Sequence, residues 1–189
     1  MISCVVPAYN EHQNLALLLP RLQDVLASTG ANWEIVVVDD GSRDATSILM
    51  SSWTRQPGFR YIQLSRNFGK EPAITAGLEA AHGDAVIILD ADLQHPPSLL
   101  PTMIARWEAG VDMVYAVREH RDDESLTKRW GTKLFYSLLG GSRGVDVPPH
   151  AGDFRLMDAH KLDIEENSLD GIVGCSVLHH LEWDKALQS

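Results

Sequence analysis

Cysteine is scarce. Only Cys4 and Cys175 occur in 189 residues, with no Cys-x-x-Cys pair, which argues against a zinc ribbon or a disulfide framework. Both thiols read as small buried hydrophobes in a reducing compartment. Basic charge is also short, since 16 Lys and Arg against 26 Asp and Glu leave a net charge of −10. Nucleic-acid binding needs clustered cations for phosphate contacts, so no nucleic-acid partner is expected. No run reaches the roughly 18 uninterrupted apolar residues of a bilayer span. The opening MISCVVPAYN lacks the basic segment and long apolar core of a signal peptide. No Gly-x-Gly-x-x-Gly follows the first apolar run, which excludes a dinucleotide oxidoreductase. What remains is a globular composition, 44% apolar and 22% charged, with no internal repeat.

Short apolar runs alternate with segments of helical period. ISCVV (2–6), stopped by Pro7, reads as a buried strand. Leu15, Leu18, Leu19, Leu22 and Leu26 predict a helix over 11–29, kinked or partly ended at Pro20. EIVVV (34–38) is a second strand, followed by a helix over 44–55 and a third strand over 59–64. A helix over 70–81, a strand over 85–89, a helix near 98–109 and a strand near 112–117 complete the regular part. This order predicts an α/β fold with a mostly parallel sheet flanked by helices. Right-handed crossovers put the carboxyl ends of the strands on one rim, where such sheets bind ligands. Four polar clusters fall on that rim: 7–11, 39–42, 65–70 and 90–95.

Each cluster has a chemical and a plain structural reading. Asp90 and Asp92 can share one hard divalent cation, Mg2+ or Mn2+, with Gln94 adding a carbonyl oxygen; the alternative is a helix N-cap. Asp39 can accept hydrogen bonds from a base or ribose, or can hold a capped turn, with Gly41 and Ser42 suiting a turn and a helix start. Tyr9 can stack on a base, or be a half-packed rim residue. Glu11 can bind sugar hydroxyls or answer a helix dipole. Arg66 and Lys70 suit a diphosphate, or form an ordinary surface pair. The acidic pair Asp39-Asp40 also suggests a phosphoacceptor receiver. That class wants the pair after its first strand and an Asp after its third, where this chain has Leu64-Ser65-Arg66.

Residues 118–150 are rich in charge, glycine and proline around a helix-like stretch at 125–139. Leu126, Trp130, Leu134 and Leu138 recur every four residues beside Lys128, Arg129 and Lys133. This is a membrane-surface helix or a core helix with a charged outer face. Arg118 could clamp an acceptor phosphate.

VVPAYNE (5–11), VVVDDGSRDAT (37–46), LSRNFGKEPAITAGLEAAHGD (64–84), VIILDADLQHPP (86–97) and AGDFRLMD (151–158) together resemble glycosyltransferase family 2. Within it, the likeness is to the polyprenyl-phosphate glycosyltransferases of the dolichyl-phosphate mannosyltransferase and undecaprenyl-phosphate transferase group. The resemblance implies a GT-A fold and an inverting, cation-assisted transfer from a UDP- or GDP-sugar to a polyprenyl phosphate. It implies that Pro7, Tyr9, Glu11 and Asp39 hold the nucleotide, with Asp40, Arg66, Lys70 and Asp90 in the same donor site. Asp90, Asp92 and Gln94 would bind the cation, Arg118 the acceptor phosphate, and Asp153 would stand where a base is sought. A phosphate monoester has a second pKa of about 6, so such an acceptor is already anionic and Asp153 need only position it. A catalytically impaired nucleotide-sugar-binding remnant, or a family member using a sugar hydroxyl for envelope polysaccharide, is the alternative. The expected location is cytoplasmic and peripheral, at the inner face of the plasma membrane; a homo-oligomer is compatible with it.

The resemblance divides the chain into an incomplete catalytic domain at 1–158 and an atypical tail at 159–189. The tail resembles a fragment of a class I S-adenosylmethionine-dependent methyltransferase, through its acidic stretch and LHHL (178–181). No glycine-rich cofactor loop precedes it in the right context, so methyl transfer is not expected. Residues 171–178 read as a strand, and His179 and His180 as structural rather than metal-binding.

Overall fold

The computed structural model describes residues 1–116 and 154–161. Four parallel strands form its centre: β1 (Ile2–Ala8), β2 (Trp33–Asp39), β3 (Phe59–Gln63) and β4 (Ala85–Ile88). Two more, β5 (Met113–Tyr115) and β6 (Arg155–Asp158), extend the sheet to the order β3-β2-β1-β4-β6-β5. β6 runs antiparallel to both β4 and β5, so β5 points the same way as the parallel set.

The strands are buried on both faces, and alternate residues feed two apolar layers. Cys4, Val6, Ile35, Val37, Ile87 and Leu89 face a layer built by the helices α1 (His12–Ser28), α2 (Thr46–Trp53) and α4 (Leu100–Glu108). Their leucines and methionines, Leu15, Leu18, Leu19, Leu22, Leu26, Met50 and Met103, close that side. Val5, Val36, Val38 and Val86 face α3 (Lys70–Ala80), which contributes Ala73 and Ala76. Small residues let α3 lie close to the sheet. A Cβ on Gly77 would stand 2.2 Å from Val5 Cγ1. Cys4 is the buried hydrophobe expected, and loss of solvation pushes its thiol up to about 12.

Three local outcomes differ from the pattern reading. Helix α1 runs through Pro20 without ending. Pro20 and Ala16, whose carbonyl loses its partner, are both exposed, so water can take up the orphaned carbonyl while the leucine face stays packed. β1 continues past Pro7 to Ala8, because β4 pairs only as far as Val5↔Ile88 while Pro7 pairs with Val38 of β2. β6, a strand that the apolar pattern did not indicate, inserts between β4 and β5. Its four residues RLMD are a strand by virtue of two remote partners rather than of local periodicity.

Away from the carboxyl rim, the buried Glu34 ties strands and loops together. It accepts hydrogen bonds from Ser3 Oγ (2.6 Å), the His82 N–H (2.7 Å) and Arg60 Nη1 (3.0 Å). Burial acts to raise its carboxyl, but the Ser3, His82 and Arg60 donors together hold it below the ordinary carboxylate range.

Candidate functional site

Four loops leave the carboxyl rim; side-chain-to-backbone bonds fasten the first three to one another, and the Lys70–Asp90 ion pair reaches the fourth. Asn10, at the left-handed φ of 57°, receives no sheet partner; its N–H donates to Ser42 Oγ (2.8 Å), while its Oδ1 accepts the Arg43 N–H (2.8 Å). Ser42 therefore staples the first loop to the second instead of starting a helix. Asp44 does the work near the start of α2, accepting the Thr46 N–H and hydroxyl. Gly41, at φ +69°, lies against the third loop so closely that a Cβ would stand 2.4 Å from the Arg66 carbonyl carbon.

The adjacent aspartates Asp39 and Asp40 are both buried, and each is an internal acceptor. Asp39 Oδ1 takes the Ser42 N–H (2.8 Å) and its Oδ2 takes the Tyr61 hydroxyl (2.6 Å). Asp40 accepts the N–H groups of Phe68 (2.7 Å) and Gly69 (2.8 Å) with separate oxygens. Burial pushes the Asp40 carboxyl up, the two N–H donors oppose this, and the charge of Asp39 adds to the rise. The pair thus acts first as struts that fix the loop leading into α3.

Between these loops lies a cavity of about 330 Å3 lined by Pro7, Tyr9, Glu11, Asp40, Lys70, Asp90 and Asp92, with Ala8, Asn67, Gly69, Ala73 and Ala91 filling in. Glu11 makes no cap bond to α1; its Oε2 accepts from Asn14 Nδ2 (2.6 Å) and the side chain borders the cavity. Tyr9 is 42% exposed, a ring free of the core at the mouth. Lys70, the first residue of α3, sets its ammonium 2.7 Å and 2.8 Å from the two oxygens of Asp90. Asp92 is not a helix cap. Its Oδ1 accepts the Gln94 N–H two residues on (2.9 Å), forming a tight turn with Leu93 at φ 62°. Of the residues singled out from sequence, Asp39, Arg66 and Gln94 do not line the cavity. Asp39 is fully buried, Gln94 is exposed, and the Arg66 guanidinium lies 4.7 Å from the Phe68 ring centroid.

The donor set suits a hard cation that shares its ligands with a substrate. It offers carboxylate oxygens only, and no group of three or more His, Cys, Asp or Glu able to hold a metal occurs among the described residues. Two carboxylates leave most of an octahedral shell to water and phosphate oxygens, which is how Mg2+ and Mn2+ are usually held. Asp90 and Asp92 would be the protein's contribution.

The rim continues into β6. The Phe154 ring stacks on His95 at 5.1 Å between centroids, and the Phe154 carbonyl accepts the Ala116 N–H (3.2 Å). Arg118 and Asp153 themselves lie outside the described residues, as do the stretch 125–139, residues 171–178 and the His179-His180 pair. Sequence reasoning passed over Tyr61, Asn67 and Gly69 as site residues. Tyr61 gave no signal, since its role rests on a hydrogen bond to a residue far away in sequence.

The sequence profile described as Glycosyl transferase family 2 matches residues 3–163. The chain belongs to glycosyltransferase family 2. This family 2 chain is 44% identical over 158 residues to an uncharacterized glycosyltransferase of Synechocystis sp., covering 83% of the chain and 50% of that protein. It is 39% identical over 167 residues to a prophage bactoprenol glucosyl transferase homolog of Escherichia coli, covering 88% and 54% respectively. It is 38% identical over 161 residues to an undecaprenyl-phosphate 4-deoxy-4-formamido-L-arabinose transferase of Shewanella sediminis, covering 84% and 48%. The chain therefore spans about half the length of these relatives.

The fold is that of the GT-A glycosyltransferases. Glucosyl-3-phosphoglycerate synthase of Mycobacterium tuberculosis superposes with a TM-score of 0.59 at 24% identity, over 85% of this chain and 57% of that one. A mannosyltransferase of Pyrobaculum calidifontis, solved with GDP-Man and Mn2+, matches with a TM-score of 0.52 at 28% identity, over 64% of this chain and 36% of its own. No described helix is long and apolar enough to cross a membrane.

Proposed function

We propose that this domain transfers a sugar, with inversion, from a UDP- or GDP-sugar to a polyprenyl phosphate at the inner face of the plasma membrane. The observation that carries the reading is the rim cavity, where an exposed aromatic ring, a lysine and four carboxylates border a space of about 330 Å3. Relatives named for transfer to bactoprenol or undecaprenyl phosphate support the acceptor class. The mannosyltransferase solved with GDP-Man and Mn2+ supports the donor class and the divalent cation.

Tyr9 stacks on the base at the mouth, while Pro7 shapes the wall beside it. Glu11 accepts hydrogen bonds from ribose hydroxyls. Asp39 and Asp40 hold the loops at the spacing the donor needs, rather than serving chiefly as ligands. Lys70 faces the diphosphate and Arg66 borders that loop. Asp90 and Asp92 would hold the cation, which would offset the charge that develops on the departing nucleoside diphosphate; Gln94, outside the cavity, is not needed as a ligand. Arg118 grips the acceptor phosphate. Asp153, one residue before the rim residue Phe154, orients that phosphate for in-line attack. With its second pKa of about 6, the acceptor needs no proton removed at neutral pH. The basic amphipathic stretch at 125–139 would rest on anionic lipid, bringing the rim to the membrane.

The test is incubation with a panel of UDP- and GDP-sugars and a short-chain polyprenyl phosphate, with Mn2+, Mg2+ or chelator. A sugar–lipid product that disappears with chelator and with Asp92→Ala is expected. Product formation unchanged by Asp92→Ala would refute the metal assignment. Flotation with vesicles tests the lipid contact, and equal recovery with anionic and neutral vesicles would refute electrostatic docking.

A further inference from the structure

The Lys70–Asp90 pair has a geometry beyond that of an ordinary surface contact. The ammonium is almost equidistant from both carboxylate oxygens, at 2.7 Å and 2.8 Å. It therefore sits on the bisector of the carboxylate, the position a cation held by both oxygens would take. A Mg2+ ion stands about 2.1 Å from its oxygen ligands, so such an ion and the ammonium cannot share this face of Asp90. Lys70 has little freedom at its root. Its backbone opens α3, and the two preceding N–H groups, of Phe68 and Gly69, are clamped by Asp40. Its side chain is 39% exposed and that of Asp90 19%, so the pair is partly withdrawn from water at the cavity wall.

We infer that Lys70 is a place-holding cation: it occupies the face of Asp90 used by the divalent ion, and yields it when a nucleoside diphosphate arrives to receive the ammonium. This rests on the donor-site reading above and adds an order of events to it. Without nucleotide, the ion must displace Lys70 from Asp90 and binds weakly. With nucleotide, the diphosphate accepts Lys70, Asp90 is released, and ion and donor enter together. Coupling between two ligands is reciprocal, so the ion strengthens nucleotide binding by the same factor. The exchange also keeps Asp90 neutralised in the empty protein.

The experiment is titration of Mn2+ alone, followed by the paramagnetic signal of free ion, on the full chain and on Lys70→Gln, Lys70→Arg, Arg66→Gln and Asp90→Asn. Each titration is repeated with saturating UDP or GDP. Losing a partly exposed ion pair of this kind corresponds to about a two- to fivefold change, so Lys70→Gln should tighten Mn2+ binding without nucleotide by that factor. The same variant should shrink the enhancement by nucleotide by a like factor. Lys70→Arg should stay near the parent, and Arg66→Gln, which removes a nearby charge that does not touch Asp90, should alter Mn2+ binding less than twofold by the same reasoning. Equal Mn2+ affinity for parent and Lys70→Gln, with Asp90→Asn weakening both states, overturns the place-holder and leaves the metal site standing. Tightening of equal size in Arg66→Gln also overturns it, since general electrostatics would then suffice. Absence of Mn2+ binding in the parent even with both nucleotides overturns the place-holder and the donor-site reading together. Far-ultraviolet circular dichroism confirms that each variant is folded.

Discussion

At the scale of single residues, Asp39 and Asp40 show how one dipeptide can divide its labour. Neighbouring positions at a strand end point to different sides, so one carboxylate reaches down to Tyr61 and Ser42 and the other across to Phe68 and Gly69. Asp40→Asn keeps the shape but leaves one acceptor where two donors converge. One backbone N–H then faces an amide NH2, which should cost about 1–3 kcal/mol. Urea denaturation of the variant reads this as a lower midpoint at unchanged slope; an unaltered midpoint would show that the strut is idle. Gly41→Ala should do worse, since the added Cβ meets immovable Arg66 backbone in a conformation that L side chains seldom adopt. Its signature is weakened nucleotide binding together with lost stability, because the second and third loops can no longer touch. The sequence located these residues but not their jobs. A pair of acids before Gly-Ser reads equally as ligand or as turn until the partners of each oxygen are known.

The elements were legible where burial is two-sided and the signal local. β1, β2 and β4 are short, mostly apolar runs, and the leucine spacing of α1 survives the proline within it. β6 was not legible as a strand, because four residues carry no period of their own and both partners lie outside their neighbourhood. The site followed the same rule. Asp90, Asp92, Lys70, Tyr9 and Glu11 could be placed on the rim by strand polarity alone. The fastening of loop to loop could not, since it depends on contacts between segments remote in sequence. Helix α3 offers a test at this scale. Gly77→Ala gains helix propensity of up to about 1 kcal/mol, yet drives a methyl into Val5 and toward Val38, both fully buried. Overpacking of this kind costs about 1–3 kcal/mol, so a net loss is expected in thermal unfolding; a raised Tm would mean that α3 can lift from the sheet without penalty.

For the molecule as a whole, acid response follows from the buried carboxylates. Glu34 is held below its ordinary range, so the native state binds fewer protons there than the unfolded chain, and its contribution is complete above the unfolded value of about 4.3. That contribution fades as pH falls through the depressed native value. Asp40, pushed upward, has the opposite sign: its contribution is largest at low pH and is lost as pH rises through its raised native value. Glu34→Gln should therefore flatten the acid limb of the stability profile measured by denaturant between about pH 3 and pH 7, with its largest deficit at the neutral end. A constant deficit across that range would show that hydrogen bonding rather than ionisation is what Glu34 contributes.

The insertion of β6 between β4 and β5 has a consequence for biosynthesis. A ribosome delivers the chain from its amino end, so β4 emerges long before the strand that will flank it. Until residues 155–158 have left the exit tunnel, β4 presents a bare row of peptide groups and β5 lacks its partner among the described strands. An open apolar edge of this kind invites pairing with other nascent chains. β6, the last made of the described strands, is therefore the keystone of the sheet, and interruption of translation just short of it would leave a half-sheet with one raw side, a substrate for chaperones rather than for catalysis.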